Sequence, residues 1–494
     1  MVASWAAEEM KGADLGDERL NHRMHVILDQ LAAYPTASIP AACGGSAELA
    51  AAYRFFDNKK VTFEEVLRPH IESTRRRMAE QAVVVVAQDT SELDLTRPEQ
   101  QVKGSGHLDA GPRRGLFLHP LHAFTPQGTP LGTVRASYWT RDEPPPATNA
   151  AEKRAALRAQ PIEEKESFRW IETLRQAREE AQRLDNTRIV CVADSEADIY
   201  ELLAEAQQVS GDLDWIVRAC QDRAVQPDRE KTAESSQLEA SPAKHVRERV
   251  LREPVLYTDT IEIRGRKPKV GCEKRGRRQA RESRTARVEV RAVQMTLRPP
   301  SRPDRKLPAI TVNVVLVREV DPPPGEVPVE WVLLTSLPIG SVEEVRAVIQ
   351  YYKVRWLIEV FFRTLKSGCR VEDRRFEHID RFLPCLAIYL IVTWRTLFVC
   401  RLGRAFPDIS CEVVFEPEEW KSVQRIVHRK PATAEPPTLR EMVRMVAQLG
   451  GYVNRPRNDE PGPQTVWIGL QRLHDITLCW QMFGPEARQD DELM

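Results

Sequence analysis

The chain lacks a net charge, since 72 Lys and Arg balance 72 Asp and Glu over 494 residues. Nucleic-acid binders often carry a basic excess, because phosphate contacts supply most of their affinity. Bulk charge therefore argues against a uniformly basic surface, and any polyanion contact has to be local. Paired cysteines are missing too. The nine are Cys43, Cys191, Cys220, Cys272, Cys369, Cys385, Cys400, Cys411 and Cys479, with no Cys-x-x-Cys among them. An odd, scattered set argues against a zinc ribbon or a disulfide framework and fits reduced thiols in a cytosolic protein. No apolar run is long enough to span a bilayer unbroken. The most apolar stretch, Leu383–Cys400, contains Arg395 and is expected to be a buried helix. Met1–Ala13 carries acids and no long apolar core, so no secretory signal is expected. What remains is an ordinary globular composition with 42% hydrophobic residues. At roughly 100–200 residues per domain, the length suggests about three domains.

The hydrophobic period changes along the chain. Residues 1–75 read as helical. Asp14 or Asp17 could cap a helix with apolar positions Leu20, Met24, Ile27, Leu28 and Leu31, and Ala47–Phe56 reads as a second helix. Val83–Ala87 is a continuous β-branched run, the pattern of a strand buried on both faces, and it ends at Gln88-Asp89-Thr90. Leu116–Phe124 and Gly132–Trp139, separated by Pro126, Gly128 and Pro130, read as a hairpin. The Pro144–Pro146 run marks a loop, Glu164–Arg183 a helix, and Arg188–Ala193 a second buried strand ending at Asp194. Residues 212–336 are mostly strand-like: Trp215–Arg218, Val288–Leu297, Ile310–Val317 and Val329–Thr335. This β-rich stretch holds the local basic excess. Eleven Lys and Arg fall between Arg264 and Arg287, opposed only by Glu273 and Glu282. It is either a solvated loop or a polyanion contact. A long helix then opens at the capping box Ser341-x-x-Glu344, with Gly368 as its C-terminal stop. Beyond it the chain is again mainly helical.

That long helix concentrates chemistry on one face. At 100° per residue, Arg355, Glu359 and Lys366 lie at about −60°, −20° and −40° from Tyr352. Val354, Leu357, Ile358, Phe361 and Leu365 fall on the opposite side. Taken alone, the polar stripe could equally be a solvated face. An Asp after a strand is ordinarily a turn former or helix cap. Two such acids ending buried strands, plus a Glu on a packed helix, point elsewhere. Active-site groups of open α/β sheets gather at strand ends. Hard divalent ions such as Mg²⁺ take carboxylate oxygens, and a pair of them about 3.5–4 Å apart suits phosphodiester cleavage. The strand–hairpin–helix–strand order with acids at these places matches a ribonuclease-H-like α/β core.

The Tyr352-x-x-Arg355-x-x-x-Glu359-x-x-x-x-x-x-Lys366 spacing resembles the signature of the "insertion sequence four" family of bacterial DDE transposases. The likeness covers almost the whole chain. Further similar segments are Leu15-Gly16-Asp17, Ala52-Tyr53-Arg54-Phe55, Gln88-Asp89-Thr90-Ser91, Val192–Ile199, Trp331–Ser336 and Leu449-Gly450-Gly451-Tyr452. The resemblance implies a ribonuclease-H-like catalytic domain over 76–375 with a β-rich insertion near 212–336. A helical DNA-end-binding domain (1–75) and a helical dimerisation domain (376–494) would flank it. It implies that Asp89, Asp194 and Glu359 ligate Mg²⁺, for which Mn²⁺ can substitute. Tyr352, Arg355 and Lys366 would grip phosphates, and Arg218 would do so as well. Trp331 would stack on a flipped base, although its bland reading is a core indole on a strand. Trp356, beside Arg355, could equally be packing.

The implied reaction is cut-and-paste transposition. Water nicks one strand at the element's end, and the freed 3′ hydroxyl attacks the other strand to form a hairpin. A second water opens the hairpin, and the 3′ ends attack target DNA. The implied partners are double-stranded transposon ends, target DNA and a second copy of the chain, in the bacterial cytoplasm and without a membrane. Two features depart from the pattern. Residues 1–70 hold seven Lys and Arg against ten Asp and Glu, so the end-binding segment is not basic overall. Ser195 stands where a relative has Arg after the second Asp. Three alternatives stay open: an inactive or domesticated transposase that binds DNA without cutting, a metal-dependent nuclease without strand transfer, and a purely structural DNA-binding protein.

Overall fold

The computed structural model describes residues 5–109, 111–142, 160–208, 213–227, 243–263, 265, 282–302, 305–453 and 460–485. In chain order the N-terminal helices are α1 (Trp5–Glu9), α2 (Glu18–Ala33), α3 (Ile39–Cys43), α4 (Ser46–Phe56) and α5 (Phe63–Ala79). Strands β1 (Val83–Gln88), β2 (Ser91–Asp94), β3 (Gly106–His107), β4 (Arg114–Phe124) and β5 (Pro130–Trp139) follow. Then come α6 (Phe168–Arg183), β6 (Arg188–Ala193), α7 (Tyr200–Gln208), β7 (Asp214–Arg218) and α8 (Val246–Leu251). Four strands come next: β8 (Tyr257–Ile263), β9 (Arg284–Leu297), β10 (Ile310–Glu319) and β11 (Glu330–Thr335). The last helices are α9 (Val342–Val354), α10 (Trp356–Arg363), α11 (Ile379–Ala405), α12 (Pro417–His428), α13 (Leu439–Leu449) and α14 (Pro463–Phe483). The fold is mixed α/β, as the alternating periods require. The Pro144–Pro146 loop and most of the basic run from 264 to 287 lie outside the described residues.

The chain divides into two compact units, residues 1–147 with 356–494, and residues 148–355. In the first, β4 is the hub. It pairs antiparallel with β1 (Val85 opposite Phe124), with β2 (Ser91 opposite Leu118) and with β5 in the expected hairpin. β1 is buried from Val84 to Gln88, so its run of valines packs on both faces. Asp17, not Asp14, caps α2, its carboxylate accepting from the Arg19 amide at 2.9 Å. α11 runs longer than its apolar stretch suggests and carries Arg395 inside it. By length and composition it could cross a membrane, yet 89% of its most apolar window is buried in the protein. It packs on α5 and β5.

In the second unit the strand order is β6-β7-β11-β10-β9-β8. β6 and β7 are parallel, with Ala193 opposite Val217, and the remaining neighbours are antiparallel. The β-rich stretch thus extends the same sheet that carries β6. β9 largely alternates buried and more exposed positions, as a sheet with one packed face does, whereas β10 is buried on both faces from Val314 to Val317. Of the basic run, Arg284 and Arg287 are described, and both are engaged. Arg284 pairs with Glu319 and Glu326, and Arg287 with Asp321.

The long helix opens where expected. Ser341 and Glu344 form a reciprocal capping box. It is not one uniform α-helix, however. Helical hydrogen bonding breaks at Arg355, although φ −49° and ψ −36° keep that residue in the right-handed region. Residues Thr364–Gly368 form a π-turn, closed by the Cys369 amide on the Thr364 carbonyl at 2.8 Å. A π-turn takes more residues per revolution than 3.6, so angles counted at 100° do not carry through it.

Candidate active site

Five of the eight anticipated residues gather at one end of the second unit's sheet. β6 and β7 run parallel, so Asp194 and Arg218, at their carboxyl ends, lie on the same side. β11 runs antiparallel to β7, with Leu333 opposite Arg218, which brings Trp331 to that end as well. α9 packs on β6 and delivers Tyr352 and Arg355 at its last turn. The Trp331 and Tyr352 rings meet edge-on, 5.8 Å between centroids at 60°. The Arg355 guanidinium carbon lies 5.9 Å from the Tyr352 ring centroid.

The first half of the stripe, Tyr352 and Arg355, is not presented to solvent as the helical wheel implies. Tyr352 is 0% and Arg355 3% exposed, so this segment is buried on both faces. The opposite side behaves as expected, with Val354, Ile358, Phe361 and Leu365 in the core. Burial raises the Tyr352 phenol above its usual value against the pull of Arg355 and Arg218, with Asp194 pushing the same way as burial. The phenol oxygen makes no hydrogen bond among the described residues. Trp331 is half-buried, neither a core indole nor a free one. Trp356 is 44% exposed.

Asp194 is held by local geometry. It is the N-cap of a short 3-10 turn over Ser195–Ala197, and its Oδ1 accepts from the Glu196 amide at 2.8 Å. Its other carboxylate oxygen accepts no hydrogen bond among the described residues. One oxygen oriented by the backbone and one left for a cation suit a hard divalent ion.

Asp89, Glu359 and Lys366 belong to the first unit. Asp89, half-buried just past β1, accepts from the Thr90 amide at 2.8 Å. Its neighbours on both sides are tied to His119 on β4. Thr90 Oγ1 lies 2.7 Å from His119 Nδ1, and Gln88 Oε1 lies 3.2 Å from His119 Nε2. The amide oxygen of Gln88 can only accept, so Nε2 carries the proton and Nδ1 accepts from the Thr90 hydroxyl. Nothing local in the sequence marks His119, because its partners lie about thirty residues away. Glu359 is exposed on α10, whose Phe361 packs on His122 of β4 at 4.6 Å between ring centroids. Lys366 falls within the π-turn and turns to Glu372, 3.9 Å from its Oε1. Burial lowers the Lys366 ammonium and raises the Glu372 carboxyl. Among the described residues, no group of three or more His, Cys, Asp or Glu side chains is gathered closely enough to hold a metal ion.

Three family models match the chain in succession: "Transposase DNA-binding" over residues 2–61, "Transposase DDE domain" over 163–392 and "Transposase Tn5 dimerisation domain" over 391–479. Asp194, Arg218, Trp331, Tyr352, Arg355, Glu359 and Lys366 fall inside the DDE match, whereas Asp89 lies outside all three. The piggyBac transposase in its synaptic complex with hairpin DNA is similar over 79% of this chain and 67% of that one. Its identity is 10% and its TM-score 0.37, too slight a likeness to bear on fold or function. The domain set defines a DDE-type DNA transposase, a class that uses a divalent metal ion and is built on a ribonuclease-H-like core. Within that class, the chain belongs to the Tn5-related, insertion-sequence-four-like family.

Proposed function

We propose that this transposase moves its element by cut-and-paste, with Asp89, Asp194 and Glu359 as the metal ligands. The observation that carries the reading is the convergence of Asp194, Arg218, Trp331 and Tyr352 at the carboxyl end of the parallel strands β6 and β7. That end is where open α/β sheets place their ligands. Bound Mg²⁺ or Mn²⁺ would supply Lewis-acid stabilisation of charge at phosphorus and at the leaving 3′ oxygen. The chain's own groups do the rest. Asp194, its Oδ1 held by the Glu196 amide, presents its other carboxylate oxygen. Arg218 and Arg355 offer guanidinium forks for phosphate oxygens, with Lys366 as a further cation. Trp331, half-exposed and braced edge-on by Tyr352, offers a face for an unstacked base at the element's end. The same site would run nicking, hairpin formation, hairpin opening and strand transfer in turn.

Residues 1–75 would bind the transposon ends, and 376–494 would pair two copies in the synaptic complex, in line with the matched DNA-binding and dimerisation models. The protein would act in the bacterial cytoplasm, on nucleoid DNA. The test is incubation of DNA bearing the element's terminal repeats with the parent and with Glu359→Ala, in Mg²⁺ or Mn²⁺. Metal-dependent nicks and hairpins from the parent, with at least a ~100-fold loss in the variant, are the expected outcome. Binding without cleavage by the parent would make the chain an inactive DNA-binding relative.

A further inference from the structure

We propose that Asp198 and Arg223 are a positioning pair that fixes the turn carrying Asp194 against the loop that follows Arg218; this rests on Asp194 being a metal ligand. Asp198 closes the 3-10 turn that Asp194 opens. Its side chain is fully buried and that of Arg223 is 8% exposed. A buried carboxylate needs its lone pairs met, and here they are. Oδ2 accepts from the amides of Cys220 at 2.8 Å and Gln221 at 2.9 Å. Oδ1 accepts from Arg223 Nε at 2.9 Å and Nη2 at 2.6 Å. Arg223 Nη2 also donates to the Asp198 carbonyl at 2.6 Å.

The two backbone donors lie two and three residues beyond Arg218, at the end of β7. One carboxylate therefore ties the loop after β6 to the loop after β7. Asp194 lies four residues upstream of it, at the opening of the same short turn. Arg223 is anchored in its turn, its carbonyl accepting from the Val246 amide at 2.9 Å. Loosening the pair lets the Asp194 turn and the Arg218 strand end drift apart. The consequence is weaker metal capture rather than a changed reaction.

The substitution Asp198→Asn keeps one oxygen for the two backbone amides but turns an amide N–H₂ toward the Arg223 guanidinium, which can only donate. Arg223→Lys keeps the cation but loses the fork. The experiment uses the full chain and measures Mn²⁺ binding by loss of the free-ion paramagnetic resonance signal. Cleavage of terminal-repeat DNA is followed across a Mn²⁺ titration. Asp198→Asn is expected to raise the half-saturating Mn²⁺ concentration roughly 10–100-fold, as outer-shell changes do, with cleavage recovering at saturating metal. Arg223→Lys should move it a smaller amount in the same direction. A merely structural role would lower thermal stability and leave the Mn²⁺ dependence at the parent's value, and that result overturns the proposal.

If Asp198→Asn does not fold, the pair Asp198→Asn with Arg223→Gln takes its place, since it leaves no unpaired buried charge. Asp194→Asn separates the two readings. Loss of cleavage there with parental Mn²⁺ dependence in Asp198→Asn overturns the positioning pair alone. Parental metal binding and cleavage in Asp194→Asn would overturn the ligand assignment and the inference with it.

Discussion

His119 bridges the two neighbours of Asp89, and Asp198 bridges the loops beyond Asp194 and Arg218. Neither role could be seen in the sequence, because a hydrogen bond across a sheet has no sequence period. The strand-end acids themselves were visible, since each breaks an apolar β-branched run. His119→Ala releases both flanks of Asp89 and is expected to lower the cleavage rate at limiting metal roughly 10-fold or more, with DNA affinity little changed. Single-turnover cleavage and gel-shift assays on one preparation would check this. Trp331→Ala removes a half-exposed indole at the β6–β7 end and should cost roughly 1–3 kcal/mol of hairpin stabilisation, the usual worth of a base stacked on an aromatic ring. Hairpin accumulation relative to the first nick is the quantity to follow, and equal ratios in parent and variant would remove Trp331 from the reaction.

At the scale of elements, the helical and strand periods located most of the architecture. β1, the β4–β5 hairpin, β6, β7 and the capping-box helix lie within a few residues of where periodicity put them. What failed was the assumption of a uniform 3.6-residue period. The break at Arg355 and the π-turn at Thr364–Gly368 redirect Lys366 toward Glu372, and a helical wheel cannot register either. Close helix contact is equally invisible to a wheel. α13 and α14 cross where Gly469 faces Val446, and a Cβ at Gly469 would lie 1.9 Å from the Val446 carbonyl oxygen. Backbone cannot yield as a side chain tip does, so Gly469→Ala must push the helices apart. A loss of roughly 1–3 kcal/mol is expected, the range for overpacked cores. Thermal unfolding would report it, and an unchanged midpoint would mean the crossing is looser than described.

Across the molecule, the first unit is assembled from both ends of the chain, residues 1–147 and 356–494. A buried charge cluster helps to join them. Glu9 of α1 takes two hydrogen bonds from Arg77 of α5, at 2.8 and 2.9 Å. It also lies 2.5 Å from His70 Nδ1. The Thr133 amide donates to His70 Nε2 at 3.0 Å, so Nδ1 carries the proton. The Arg77 guanidinium carbon stacks 4.1 Å from the Trp394 ring centroid of α11. Burial is the largest influence on the Glu9 carboxyl and raises it, but His70 and Arg77 together prevail and hold it at about 2. A carboxyl lowered on folding contributes stability that is present above its ordinary value near 4.5 and lost as pH falls toward about 2. Glu9→Gln should therefore cost roughly 3–5 kcal/mol at neutral pH, as breaking a buried pair does, and should flatten the acid loss of stability in that window. Unfolding midpoints measured against pH for parent and variant decide it; parallel curves would mean that Glu9 is not the group that titrates.

The sequence by itself determined the local elements, the strand-end positions of Asp89 and Asp194, the capping box at Ser341 and Glu344, and the family signature from Tyr352 to Lys366. Each of these depends on residues within a turn or two of one another, where period and spacing carry the physics. The tertiary structure alone decided that one compact unit is built from both chain ends, that Tyr352 and Arg355 are buried, that His119 bonds both neighbours of Asp89, and that Asp198 meets Arg223 and the amides beyond Arg218. Those outcomes depend on which distant segments the chain path brings into contact. Burial and the pairing of buried charge are properties of that contact, and no local pattern encodes them.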